Sequence, residues 1–329
     1  MVGGARITAW QPPIAGLREV LHAQFTDHAY PMHTHDSWAL LLIDEGVVRY
    51  DLDRHEHGAL TSLVTLLPPN VPHDGRSVRP EGFRKRVLYL DLDGMDPDGG
   101  ELDGEPQAAD LTGAAVDNPG LTDPLLRLRI HQLHGVLVWR TEDLEAQSRL
   151  LFIRERLNQH LTRARTGRVS RTTIMTGRTH GTRSPRSLAP ASALEPTESP
   201  QLTALSRSAP VTPGPAARRD AGLAGQLREL LDARVRPGIT LGEAARLLHS
   251  HPTHLVRAFS REYGMPPHLY LTGRRVDLAR RYLLAGLPAA EVAVQTGFYD
   301  QSHLSRHFQR MLGVSPTRYA RSGPVRRDS

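Results

Sequence analysis

Apolar and polar positions change rhythm along this chain, and the rhythm predicts the elements. From residue 17 to about 95 the apolar runs are short and bounded by turn residues. Ser37-Trp38-Ala39-Leu40-Leu41-Leu42-Ile43 is a nearly unbroken apolar run and reads as a buried strand. Asp44-Glu45-Gly46 reads as a turn and Val47 to Leu52 as the returning partner, so the pair is expected to be a hairpin. Leu60 through Leu67 is a further apolar run, ended by Pro68-Pro69-Asn70-Val71-Pro72-His73. Proline cannot donate to a sheet ladder, so that segment marks a loop. Phe83 to Leu92 gives another strand. Several short strands with regular turns predict a small all-β barrel or sandwich.

The spacing then lengthens. Residues 94–123 are rich in Gly, Asp and Pro and read as a connection. Leu121 to Trp139 and Glu142 to Leu161 carry helical periodicity. In the second, Leu150, Ile153, Leu157 and Leu161 lie near one stripe, which suits packing on the chain's own barrel or on the same helix of a second copy. Residues 163–219 are dominated by Arg, Thr, Ser and Pro and show no period. Such a segment buries too little apolar surface to offset its ordering entropy, so a disordered linker or an inserted, frameshifted stretch is expected. Helical patterning resumes at Asp220, with one amphipathic helix over Gly222 to Ala233. Thr240 and Glu243 follow at capping-box spacing.

Two similar corners occupy the remaining chain. In the first, Leu241 to Leu248 is a scaffold helix, and Ala244 and Ala245 allow close approach of a second helix. A turn through His249-Ser250-His251 leads to a helix from Pro252 to Tyr263, stopped by Gly264. Leu255 and Phe259 face inward, while Thr253, His254 and Arg257 face outward. In the second corner, Pro288 to Gln295 precedes Asp300 to Leu312. Gly297 suits a left-handed helix end, Asp300 a cap, and Leu304 and Phe308 one inward face. Gln301, Ser302, Ser305 and Arg306 lie away from that face, where they can reach base edges and phosphates. Leu269 to Leu284 joins the corners and carries Arg274, Arg275, Arg280 and Arg281 on its polar side. Arg274 and Arg275 are candidate phosphate contacts.

Bulk composition narrows the class. A length of 329 residues allows two domains. No apolar run approaches the roughly 18 residues a membrane helix needs, and the first residues lack the apolar core of a secretory signal. There are no cysteines, which excludes disulfides and cysteine-ligated metal. The net charge of +6 favours a polyanionic partner. Nearly all basic residues are Arg, with Lys85 a rare exception, so arginine richness is partly compositional.

The most specific run is Val292-Ala293…Gly297-Phe298-Tyr299-Asp300-Gln301-Ser302-His303-Leu304-Ser305-Arg306-His307-Phe308…Gly313-Val314-Ser315-Pro316…Tyr319. With Ile239-Thr240-Leu241, Leu255…Phe259…Gly264 and Arg275…Ala279…Leu283-Leu284, it resembles the DNA-binding domain of the AraC/XylS family of bacterial transcription factors. The resemblance covers residues 221–321. One departure is Leu248-His249, where the family usually has a small residue and Gly. The resemblance implies a cupin-like sensor barrel in front, a small-molecule effector, a dimerising helix, contact with RNA polymerase and a cytoplasmic location.

The barrel's histidines are the remaining candidates. His33-Thr34-His35 is expected to begin a strand, with both imidazoles on one side. His33, His35, Trp38 and His73 are candidate effector contacts, with Arg49 and Tyr50 weaker. No metal or cofactor is expected, since a metal-dependent cupin also wants a carboxylate in reach and Glu45 falls in a predicted turn. The expected fold is therefore α+β and multidomain. A cupin-like barrel spans 1–95, a helical connection 96–162, a linker 163–219 and tandem helix-turn-helix units 220–322. The expected function is sequence-specific regulation on double-stranded DNA, by two helices entering successive major grooves. Two alternatives are a metal-dependent cupin enzyme with a DNA-binding tail, and a regulator that has lost function.

Overall fold

The computed structural model describes residues 5–26, 28–91, 105–139, 143–176 and 215–323. Most of the expected linker, residues 177–214, lies outside these. The flanking helices reach further than expected, with α3 spanning Asp143–Thr176 and α4 Pro215–Ala233. Helix formation here outruns the apolar pattern: residues 163–176 contain no proline, and Pro215 suits a first helical position.

Among the described residues nine strands come first: β1 (Arg6–Trp10), β2 (Leu17–Phe25), β3 (Tyr30–His33), β4 (Trp38–Glu45), β5 (Val48–Leu52), β6 (His55–Ala59), β7 (Val64–Leu67), β8 (His73–Ser77) and β9 (Phe83–Leu90). They form two antiparallel sheets. One has the order β1-β2-β9-β4-β7, extended by the two-residue β10 (Gly120–Leu121). The other is β3-β8-β5-β6. The expected β4–β5 hairpin is not formed. Both edges of β4 are taken, by β7 and by β9. The chain crosses at Gly46 (φ 79°) into the other sheet, where β5 pairs with β6 and β8.

The unbroken apolar run in β4 is explained by burial on both faces. Ala39, Leu41 and Ile43 point into the barrel interior. Trp38, Leu40 and Leu42 point outward, into a second core under α1 (Glu105–Asp117), α2 (Pro124–Trp139) and α3. The α3 stripe Leu150, Ile153, Leu157 and Leu161 is buried in this second core, so it is used within the chain. The stretch read as a connection thus contains a helix, α1, and a short strand.

The helical region contains α4, α5 (Leu241–Leu247), α6 (Pro252–Tyr263), α7 (Pro267–Leu284), α8 (Ala289–Gln295), α9 (Gln301–Leu312) and α10 (Pro316–Ala320). Thr240 and Glu243 form the capping box. Asp300 accepts from the His303 N–H at 2.7 Å, and Gly313 ends α9 at φ 75°. The helix-turn-helix region packs on the barrel. Val276, Ala279 and Leu283 of α7, with Leu304 and Phe308 of α9, are continuous with the barrel-interior core.

Candidate functional site

Two surfaces carry chemistry. The first is the pair of corners. Leu255 and Phe259 of α6, and Leu304 and Phe308 of α9, are fully buried. This leaves Thr253, His254 and Arg257 exposed on one helix, and Gln301, Ser302 and Arg306 on the other, with Ser305 half-buried. His254 Nε2 lies 2.9 Å from Asp220 Oδ1 of α4, and Arg261 pairs with the same carboxylate. Tyr299, at the tip of the second corner, is 90% exposed and was not singled out by the sequence pattern.

The two corners share one backbone design. In the first, Leu248 N–H bonds Ala244 O at 2.9 Å and Ser250 N–H bonds Ala245 O at 3.0 Å. In the second, Thr296 N–H bonds Val292 O at 3.0 Å and Phe298 N–H bonds Ala293 O at 2.9 Å. Both need a left-handed residue after the scaffold helix. Gly297 supplies it at φ 82°, while His249 is held at φ 47°. An L-residue with a side chain enters that region only at a cost.

The arginines of α7 are not a free polar face. Arg274 meets Asp232 at 2.9 Å, Asp277 at 3.4 Å and Asp36 of the barrel at 3.4 Å. Arg275 Nε donates to Val235 O at 2.9 Å. Arg281 reaches Asp36 at 3.5 Å. Arg280 is buried, donating to Glu19 of β2 at 2.6 Å and to the Tyr319 hydroxyl at 3.1 Å; Tyr319 in turn donates to Glu19. A helical wheel counts arginine as polar and outward, but buried carboxylates on a neighbouring domain turn it inward. Any phosphate contact by Arg274 or Arg275 must compete with these bonds.

The second surface is a cavity of about 70 Å³ between the barrel and α7. Strand β9 lines it at every second residue, with Phe83, Lys85, Val87 and Tyr89. His33, His35 and His73 line it too, with ring centroids 4.4 Å (33–73), 4.7 Å (35–73) and 6.5 Å (33–35) apart. Strand β3 ends at His33, so His35 belongs to the following loop rather than to a strand. From the helical side come Gly273, Val276, Asp277 and Arg280. A Cβ on Gly273 would stand 3.9 Å from the His33 Cβ, so α7 lies against the barrel mouth. Trp38 is elsewhere. Its neighbours Ala39 and Leu41 line the cavity, and strand alternation sends Trp38 to the outer core under the helices. Arg49 pairs with Glu56 at the surface, and Tyr50 is buried against His57.

The electrostatics of the cavity are unusual for its size. Each histidine donates Nδ1–H to a backbone carbonyl: His33 to Pro31 at 2.8 Å, His35 to Ser37 at 2.6 Å and His73 to Val71 at 2.9 Å. That leaves a lone pair on each Nε2. Burial, reinforced for His33 and His35 by the other imidazoles, holds those two well below the usual histidine range, and burial takes His73 down to about 4. Lys85 has its ammonium 3.9 Å from the Tyr30 ring centre. Burial, then the charge of Arg280, pushes it down to about 7. The Tyr30 hydroxyl, Thr34 Oγ1 and His35 Nε2 are buried without a hydrogen-bond partner. Among the described residues no three His, Cys, Asp or Glu side chains are grouped to hold a metal ion. Lys85, Tyr30 and Arg280 were missed as site residues. The available signal was a lone lysine at the inward phase of an amphipathic strand.

Comparison with known proteins matches the front and the back of the chain separately. The AraC-like ligand binding domain model matches residues 16–159, and a helix-turn-helix domain model matches residues 244–322. The uncharacterized HTH-type transcriptional regulator YbfI of Bacillus subtilis is 33% identical over 76 residues, covering 23% of this chain and 28% of that protein. The probable transcriptional regulator LumQ of Photobacterium leiognathi is 30% identical over 90 residues, covering 27% and 36%. The matched stretch therefore spans about a third of these curated relatives. The solved structure of ToxT from Vibrio cholerae aligns over 98% of this chain and 100% of its own at 11% identity, with a TM-score of 0.46. The chain thus carries an AraC-like ligand-binding domain in front and a helix-turn-helix domain behind.

Proposed function

We propose that this protein is an effector-responsive, sequence-specific transcription regulator. Its α6 and α9 read two successive major grooves of one duplex. Thr253, His254 and Arg257 would serve the first groove, and Gln301, Ser302, Ser305 and Arg306 the second. Their exposure above buried Leu/Phe pairs supports that reading. Arg274 and Arg275 are assigned chiefly to holding α7 in place, with phosphate contact secondary. The effector sits in the cavity beside His33, His35 and His73.

One observation carries the coupling. The cavity wall is part barrel and part α7, the helix that joins the two corners. A ligand there touches both domains at once. It therefore has different affinities for the docked and undocked arrangements, which is the requirement for shifting between them. The organisation into a sensor (1–95), a helical region (96–162), a linker (163–219) and a DNA-binding region (220–322) is part of the proposal. So are a cytoplasmic location, contact with RNA polymerase and a homodimer. With the Leu150–Leu161 stripe used internally, a dimer would use the other side of α3, where Leu144, Leu151 and Phe152 are exposed. Selection of bound duplexes from a random pool by the full-length protein tests the DNA reading. A single enriched consensus is expected; a pool that stays random after repeated rounds would overturn it.

A further inference from the structure

Lys85 is the only lysine in the chain, against 40 arginines. It stands on β9 between Arg84 and Arg86, both of which meet carboxylates: Arg84 pairs with Glu45 at 2.7 Å and Arg86 with Asp44 at 2.6 Å. Lys85 faces the other way, into the cavity. No carboxylate pairs with it among the described residues. Its surroundings include the rings of Tyr30 and Phe83, at 3.9 and 6.0 Å, the cationic Arg280 and the imidazoles of His33 and His73. Arg280 is itself saturated by Glu19 and Tyr319.

A cavity that only had to hold an anion would be served by arginine, which presents a fork to carboxylates and which this chain uses everywhere else. Lysine offers two things arginine does not, a proton it can lose and a nucleophilic nitrogen. An apolar pocket and a neighbouring cation are the two influences that free a lysine amine for attack on a carbonyl. Three buried polar atoms without partners, on Tyr30, Thr34 and His35, stand in the same cavity to receive a ligand's oxygens. The volume of about 70 Å³ is roughly half that of a cavity that takes benzene, which limits the ligand to a few heavy atoms.

We propose that Lys85 captures a small aldehyde or ketone, of about two to four carbons, as an imine. This rests on the regulatory reading of the same cavity and names the chemical class of its effector. The neutral amine adds to the carbonyl carbon to give a carbinolamine. The former carbonyl oxygen then leaves as water with the two amine protons, and a C=N bond replaces C=O. No oxidant or reductant is consumed. The Tyr30 hydroxyl, which burial keeps protonated, is the group placed to hydrogen-bond the departing oxygen. Formation is reversible by hydrolysis, as a sensor requires.

The test uses the full-length protein with propanal or hydroxyacetone and cyanoborohydride at pH 7, read by intact mass and chymotryptic mapping. One reduced adduct at Lys85 is expected, at least about tenfold above that on equimolar Nα-acetyl-lysine, whose amine is almost wholly protonated at this pH. K85R should lose it. A 13C-carbonyl probe on unreduced wild-type protein gives a second readout: a protein-bound imine resonance that is absent from K85R, so distinct from any at the N-terminal amine, and that disappears on dilution. Modification confined to the N-terminal amine, or no modification by either probe, overturns the proposal. Failure of the regulatory reading looks different. An adduct at Lys85 with unchanged operator affinity leaves the capture chemistry standing and removes the regulation. A change in operator affinity without an adduct does the reverse.

Discussion

His249 holds a conformation and Lys85 a charge state that works against folding, and each gives a direct test. His249 occupies the left-handed position that Gly297 fills in the second corner. The left-handed region costs a residue with a side chain about 1–2 kcal/mol, and part of that is returned because glycine loses more entropy on folding. His249→Gly is therefore expected to stabilise the protein by about 0.5–1 kcal/mol in denaturant titration. Equal stability would mean that the imidazole makes a compensating contact. Lys85 is the second case. Its pKa falls from the unfolded value of about 10.4 to about 7 in the fold. Stability linked to it is complete above about pH 10 and is lost as pH falls toward 7, because the unfolded chain binds the proton more readily. K85M is expected to raise stability near pH 7 by on the order of 4 kcal/mol, with the gain shrinking toward pH 10. A pH-independent difference would contradict the depressed pKa. The cavity histidines act in the same direction at lower pH, removing stability as pH drops from about 6.5 toward 4.

At the scale of elements, the second helix-turn-helix was legible almost residue by residue. Gly297, Asp300, Leu304, Phe308 and Gly313 each have one mechanical job and perform it. Its exposed face gives the next prediction. Gln301→Ala and Arg306→Ala should each weaken binding to the selected sequence by about 1–3 kcal/mol while changing nonspecific binding much less. Equal losses on both, measured by competition at fixed salt, would assign these side chains to phosphate. The barrel was legible as strands but not as pairing. Residues 44–46 look like a hairpin turn, and local sequence has no access to the fact that β7 and β9 already occupy both edges of β4. Trp38 was misplaced for a related reason, since an unbroken apolar run conceals which alternate positions face the cavity. Strand β9 was more readable. Its polar and apolar phases differ, and Lys85 is conspicuous in the inward one.

At the scale of the molecule, the domain interface is where sequence gave least warning. Arg280 and Arg274 look like solvent-facing charges on a helical wheel, but Glu19 and Asp36 lie more than two hundred residues upstream. No local window joins them. Removing one partner of a buried pair leaves the other uncompensated, which costs about 3–5 kcal/mol. Glu19→Ala should therefore loosen the docking of α7 on the barrel. The expected result is faster hydrogen exchange across α7 with the β4–β9 strands still protected. Unchanged exchange in α7 would mean that the apolar contacts alone hold the domains together.

A hydroxyl-radical footprint of the full-length protein on its selected duplex bears most directly on the account. Two protected patches on one face, about one helical turn or 10 base pairs apart, are expected from two recognition helices carried on one connecting helix. Arg306→Ala should erase one patch before the other. A single patch, or protection that does not depend on sequence, would contradict reading by α6 and α9 together.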